Sequence, residues 1–171
     1  MISFPNAKIN IGLNITEKRP DGFHNIETIF YPIGISDILE ITESDTSFQF
    51  TNTGLIVEKG LLESNLCYKA YVLLKHDFNL PDIQLHLHKI IPFGSGLGGG
   101  SSDATFTLKS LNELFNLGLS KHGLKKYAEK IGSDCAVFID NKPAFASGKG
   151  NLLSQIALSL HNYFLLVVHP G

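Results

Sequence analysis

Pro92-Phe93-Gly94-Ser95-Gly96-Leu97-Gly98-Gly99-Gly100-Ser101-Ser102-Asp103 sets five glycines within seven positions, Gly94 to Gly100. Glycine loses more conformational freedom on folding than any other residue, so such a run is costly unless the backbone itself binds something. Without side chains in the way, successive N–H groups can turn inward and cradle an anion. Residues 104–117 recur with helical spacing and would aim a helix N-terminus at the same anion. Phosphate binding is the first functional inference. Ser101 and Ser102 stand where their hydroxyls could meet phosphate oxygens or a metal ion. Plain N-capping, by Ser102 or Asp103, explains them as well.

Upstream of the loop, Ile83-Gln84-Leu85-His86-Leu87-His88 alternates strictly and reads as a strand feeding into it. Further strands are expected over 7–15, where Ile9, Ile11, Leu13 and Ile15 should line one buried face, and over 25–33, 35–42 and 47–52. The turn-prone Pro-Asp-Gly, Pro-Ile-Gly and Ser-Asp pieces separate them. Residues 65–76 switch to a helical period with Asn65 as N-cap. A second helix (104–117) stops at Gly118 and a third (119–131) at Gly132. Residues 135–139, 143–147 and 163–169 read as short strands. Strands with a few inserted helices predict an α+β domain. The apolar run 164–168 stops near the last residue, where a buried strand usually continues into a turn and a further element, so a fragment of a longer chain is expected.

The chain has 171 residues, 43% hydrophobic and 18% charged, the size and composition of one ordinary globular domain. Fourteen Lys+Arg and a net charge of −2 argue against nucleic acid as a partner, because duplex binding rests on neutralising phosphates. Cys67 and Cys135 are too few for a disulfide framework, which points to a reducing compartment. No run approaches the ~18 apolar residues of a membrane span. The N-terminus has no basic region followed by an apolar core, so the expected location is cytoplasmic. Asn14-Ile15-Thr16 matches a glycosylation sequon only formally.

Gly94-x-Gly96-x-x-Gly99 satisfies the dinucleotide-binding expression, but that fingerprint needs a second parallel strand with an acidic residue about 20 positions on. Here another helix follows, and Glu113 lies inside the first helix. The Walker loop fails too, since Gly148-Lys149 lacks the earlier glycine and the following Ser/Thr. No His-Arg-Asp or Asp-Phe-Gly follows, as a protein kinase would require. His86 and His88 share a strand face, but two histidines without a third ligand read as a polar surface rather than a metal site.

The run Pro92-x-x-x-Gly96-Leu97-Gly98-Gly99-Gly100-Ser101-Ser102 resembles the second signature of the GHMP kinases, small-molecule kinases that bind ATP at such a loop. Ala7-Lys8-Ile9-Asn10 with Arg19-Pro20-Asp21-Gly22-Phe23-His24 is similar to the N-terminal signature of those members that act on 4-diphosphocytidyl-2-C-methyl-D-erythritol. Ile131-Gly132-Ser133-Asp134-Cys135-Ala136-Val137-Phe138 resembles their catalytic aspartate segment. Residues 144–150 and His169-Pro170-Gly171 also fall in family order. The resemblance runs from Pro5 onward. It implies a ribosomal protein S5 domain 2-like fold and transfer of the ATP γ-phosphoryl group, with Mg²⁺, to the 2-hydroxyl of that substrate in the non-mevalonate isoprenoid pathway. By the resemblance, residues 1–155 are the family's N-terminal ATP-binding and catalytic domain and 156–171 the first strand of its C-terminal domain, the rest of which is absent, so little or no turnover is expected from the 171 residues alone. A homoserine- or mevalonate-type kinase, or a nucleotide-binding unit without turnover, are the competing expectations. A monomer and a homodimer both stay open.

By that resemblance Asp134 is the general base, although a Gly-Ser-Asp aspartate is otherwise a common turn residue. Lys8 would pair with Asp134 and polarise the hydroxyl; a lysine on an alternating strand otherwise faces solvent. Asn10, on the same strand face as Lys8, would bind substrate. Phe23, where the family more usually has Tyr, would stack on the cytosine base, and His24 would recognise it. Asn65 would contact adenine as well as cap its helix. Pro92, Gly94, Gly96, Leu97, Gly98, Gly99, Gly100, Ser101 and Ser102 would hold the nucleotide. Lys149 replaces a usually apolar residue, and the sequence offers no account of it.

Overall fold

A computed structural model describes residues 1–55 and 62–169. Two four-stranded sheets form the frame. The first has the order β1 (Ile2–Ser3), β4 (Ile38–Glu43), β6 (Ile83–Lys89), β5 (Gln49–Gly54). The second runs β2 (Asn6–Lys18), β3 (His24–Ser36), β7 (Ala144–Ser147), β8 (Leu152–Gln155). Among the described strands only β5 and β6 pair in parallel, and α1 (Leu66–Phe78) lies between them in sequence. This is the expected α+β class.

The main core joins the first sheet to three helices: α1, α2 (Gly99–Leu114) and α3 (Lys121–Ile131). Leu39, Ile41, Ile83, Leu85 and Leu87 meet Ala70, Leu74, Ala104, Leu108, Leu111, Leu124 and Ala128. Alternation on β6 and the helical period on α1 and α2 aim these side chains inward. Asn65 caps α1, its side chain accepting from the Cys67 and Tyr68 amides. Ser120 caps α3.

Several expectations are corrected. Helix α2 starts at Gly99, with Gly98 as a left-handed N-cap and no side-chain cap, so Ser102 and Asp103 lie inside it. Residues 135–139 are not a strand; a short helix α4 (Val137–Asp140) follows a turn there. The Pro-Ile-Gly piece does not break the sheet, because Pro32 is accommodated in β3 opposite Lys8, beside a register shift, and the break falls at Asp37. The far half of β2 buries neither face, leaving Leu13 and Ile15 more than half exposed. Strands β1 and β8 went unread. Residues 163–169 form no strand: no described strand pairs with them, and a lone strand cannot satisfy its backbone groups. Val167 packs on Ala7, Ile33, Ile91 and Leu97, while Phe164, Leu166 and Val168 face outward. Pro170 and Gly171 lie outside the described residues.

Candidate active site

The glycine loop is a chain of left-handed turns, with Gly94, Gly96 and Gly98 at φ between +66° and +74°. Such angles are strained for any residue with a Cβ. The Ser95 hydroxyl closes the loop by donating to the Pro92 carbonyl at 2.7 Å. The first intrahelical bond of α2 is Ser102 N–H to Gly98 C=O, so the amides of Gly99, Gly100 and Ser101 have no partner within the helix. These are the donors that an anion at the helix mouth would use.

Two buried lysines flank this first turn. A Cβ on Gly98 would come within 3.1 Å of the Lys8 stem, and one on Gly99 within 2.8 Å of Lys89 Nζ. Glycine is needed at both places because lysine side chains fill the space.

Lys8 is only 4% exposed. Its Nζ donates to Asn10 Oδ1 at 2.6 Å and to the Gly96 carbonyl at 2.9 Å, and lies 3.5 Å from Asp134 Oδ2. The Lys8 amide also donates to the Leu97 carbonyl at 2.9 Å. Asn10 is held in turn by Thr28 Oγ1, which donates to the Gly12 carbonyl. Asp134 sits in the turn between α3 and α4, its carboxyl about one-third exposed. That turn is anchored to α2 by Thr105 Oγ1, which donates to the Cys135 carbonyl at 2.8 Å, and burial pushes the pKa of the Cys135 thiol up to about 11.

The structure thus gathers Lys8, Asn10, Gly96, Leu97, Gly98 and Asp134 from three segments distant in sequence. A Cβ on Gly100 would meet Leu66 Cδ1 at 3.8 Å, which sets the start of α1, capped by Asn65, alongside the first turn of α2. Ser102 is fully buried and its hydroxyl has no partner among the described residues. Phe23 and His24 are not brought to the cluster. They occupy the far end of the β2–β3 hairpin, where Lys18 pairs with His24, ten residues along β2 and two register shifts beyond Lys8. Lys149 gains an account there, with Nζ 4.7 Å over the Phe23 ring and 3.6 Å from Asp21 Oδ2. His86 and His88 both hydrogen-bond the Thr53 hydroxyl at 2.9 Å, and no group of three or more metal-ligating side chains exists among the described residues.

One feature of the site escaped the sequence reading. Lys89 is buried beneath the loop between Asp37 and Asp103, with Asp103 Oδ2 at 2.8 Å from its Nζ. The signal was present: alternation on β6 puts Lys89 in register with Ile83, Leu85 and Leu87, and a lysine on an inward face must find buried counter-charge.

This α+β frame, with its glycine loop opening onto a helix, has the fold of the GHMP kinase N-terminal domain. Residues 65–149 match the family GHMP kinases N terminal domain, and the chain has that fold. It is homologous to 4-diphosphocytidyl-2-C-methyl-D-erythritol kinases: 56% identical over 173 residues to that of Bacteroides fragilis, covering 99% of this chain and 63% of the relative. Identity to the corresponding kinase of Cytophaga hutchinsonii is 49%, over 100% of this chain and 63% of the relative. The chain therefore spans about 63% of the length of the curated relatives it matches. A crystal structure of 4-(cytidine 5'-diphospho)-2C-methyl-D-erythritol kinase superposes with a TM-score of 0.76 at 32% identity, over 93% of this chain and 56% of that one. A mevalonate kinase shares the fold alone, at a TM-score of 0.70 and 15% identity over 92% of this chain and 56% of that one. No helix among the described residues is long and apolar enough to cross a membrane.

Proposed function

We propose that this chain is the nucleotide-binding and catalytic part of a kinase that moves the γ-phosphoryl group of ATP onto the 2-hydroxyl of 4-diphosphocytidyl-2-C-methyl-D-erythritol. The observation that carries the reading is Lys8 Nζ, held at once by the loop carbonyl of Gly96, by Asn10 and by Asp134. It joins the phosphate cradle to a carboxylate in one rigid contact set.

In this reading the loop amides and the start of α2 bind the ATP phosphates, with Asn65 at the adenine end. The hydroxyl oxygen forms a bond to the γ-phosphorus as the bond to the β,γ-bridging oxygen breaks. Asp134 accepts the hydroxyl proton, and Lys8 fixes the carboxylate and offsets charge on the transferring group. Most of the barrier reduction comes from positioning and charge stabilisation. Mg²⁺ would arrive with ATP, held mainly through the phosphates, with the Ser101 hydroxyl at the helix mouth an oxygen donor of the kind it takes. When bound it neutralises phosphate charge. Phe23 and His24 would take the cytosine at the hairpin end, residues 1–155 would form the working domain, and 156–171 would begin a second unit.

ATP titration by calorimetry, run beside a coupled assay of ADP release with and without the cytidine-diphosphate alcohol, tests this. ATP binding is expected, with release that depends on that alcohol and is weak from the 171-residue chain. Release driven instead by mevalonate or homoserine would overturn the acceptor assignment. Failure to bind ATP would overturn the whole reading.

A further inference from the structure

We propose that Thr28 is a positioning residue for the reacting pair: its hydroxyl fixes the Asn10 amide with the oxygen turned toward Lys8, and so sets where the ammonium meets Asp134. This rests on the catalytic reading of Lys8 and Asp134 given above. Thr28 lies on β3 and is 3% exposed. Its hydroxyl donates to the Gly12 carbonyl and accepts from Asn10 Nδ2 at 3.1 Å, while Asn10 Oδ1 accepts from Lys8 Nζ at 2.6 Å. These bonds form one directed chain, from Lys8 through Asn10 and Thr28 to Gly12.

The direction of that chain is forced at both ends. A carbonyl can only accept, so the single hydroxyl proton of Thr28 is committed to Gly12, and only lone pairs remain for Asn10. An ammonium can only donate, so Lys8 requires the amide oxygen. One orientation of the amide satisfies both neighbours. Of its two N–H groups, one is spent on Thr28, which leaves the second for an acceptor on the substrate.

The Gly12 carbonyl stands where β2 shifts register between Ile11 and Leu13, with Gly12 at a φ of +68°. An extra residue at such a shift leaves ladder groups unpaired, and the Thr28 hydroxyl takes up one of them. The ammonium needs what this chain supplies. The Phe30 ring, 4.9 Å from Lys8 Nζ, attracts the charge without a directed hydrogen bond. Asp134 stands 3.5 Å away on a carboxyl one-third exposed, and the bond to Asn10 is the shortest of the three polar contacts. Without the Thr28 hydroxyl, Asn10 Nδ2 loses its acceptor and the amide is held from the Lys8 side alone.

The test sets Thr28→Val, which keeps the branched shape and deletes the hydroxyl, against Thr28→Ser, which keeps the hydroxyl and deletes a buried methyl. Acceptor-dependent ADP release, ATP affinity by calorimetry and melting temperature are measured for each. Thr28→Val should lower kcat on the order of tenfold, with the Kd for ATP within about twofold of wild type. Thr28→Ser should keep kcat within about twofold, although the lost methyl lowers its melting temperature. Asn10→Ala closes the cycle: because Thr28 acts through Asn10, adding Thr28→Val to it should cost no further turnover. The Asn10 side-chain amide protons, followed by NMR, give a readout independent of turnover. Their exchange with solvent should be slow in wild type and Thr28→Ser, and several-fold faster in Thr28→Val. Should Thr28→Val not fold, Thr28→Ala makes the same deletion. Wild-type kcat in Thr28→Val, an equal loss in Thr28→Ser, losses that multiply in the double variant, or unchanged amide exchange overturns the proposal and leaves the kinase reading standing. Absence of acceptor-dependent release from the wild-type chain overturns both.

Discussion

Lys8 makes its polar contacts in three directions, and two variants separate its ammonium from the carboxylate it pairs with. Lys8→Met keeps the aliphatic stem that lies against Gly98, and deletes the ammonium that reaches Gly96, Asn10 and Asp134. Asp134→Asn keeps the size of the side chain and deletes the base. If the proposed chemistry holds, Asp134→Asn should lower turnover by ~10²–10⁴-fold, with ATP affinity little changed. Its thermal stability should hardly move, because the carboxyl is one-third exposed and makes one ion pair. Lys8→Met should lower turnover comparably and also lower the melting temperature, since it leaves Asn10 Oδ1 and the Gly96 carbonyl without their donor. Steady-state kinetics beside thermal unfolding separates the two patterns. An Asp134→Asn variant with near-wild-type turnover would remove the base assignment.

At the scale of elements, Asn65 shows one side chain with two separable uses. As N-cap of α1 it accepts from two amides through Oδ1, a role that a carboxylate fills equally well. The proposed adenine contact would need the amide group itself. Asn65→Asp should therefore keep the melting temperature within a degree or two while weakening ATP binding several-fold, whereas Asn65→Ala should weaken ATP binding and also cost about 1 kcal/mol of stability. Equal loss of ATP affinity in the two variants with the fold intact would support the contact; unchanged affinity in Asn65→Asp would reduce Asn65 to a cap. How legible each element was follows from how much of its signal was local. The alternation of 83–88 and the period of 65–76 were read correctly because burial on one face dictates both. The start of α2 was placed five residues late because its first turn is Gly-Gly-Ser-Ser, which has poor helix propensity and forms here around two lysines from other elements. The missed strand end at Lys89 and the false strand at 135–139 have the same origin, since tertiary partners decided them. Lys8 and Asp134 were found through family signatures, and no local periodicity would have paired residues 126 positions apart.

In the whole molecule, the β2–β3 hairpin carries Phe23 and His24 away from the main core, and the turn between β7 and β8 meets its tip. The Ile26 amide donates to the Gly148 carbonyl at 2.7 Å, and Lys149 lies over Phe23 and beside Asp21. Asp21 in turn accepts from the Phe23 amide and from Arg19. A cation over an exposed aromatic ring contributes about 0.5–1 kcal/mol, too little to shift the global unfolding of a domain this size but enough to matter for a local opening. Lys149→Met should therefore leave the melting temperature and ATP affinity of the chain unchanged. It should speed hydrogen exchange at the tip amides, Arg19, Gly22 and Phe23, roughly two- to fivefold, which is that energy expressed as an opening equilibrium. The amides of α1 and β6 serve as internal controls, because their opening depends on the main core. If Phe23 takes the cytosine, the looser tip should also weaken binding of cytidine diphosphate while leaving ATP binding alone. Unchanged exchange at Phe23 in Lys149→Met would show that backbone pairing with Gly148 fixes the tip without help, and Lys149 would then be a surface residue with no part in presenting the aromatic ring.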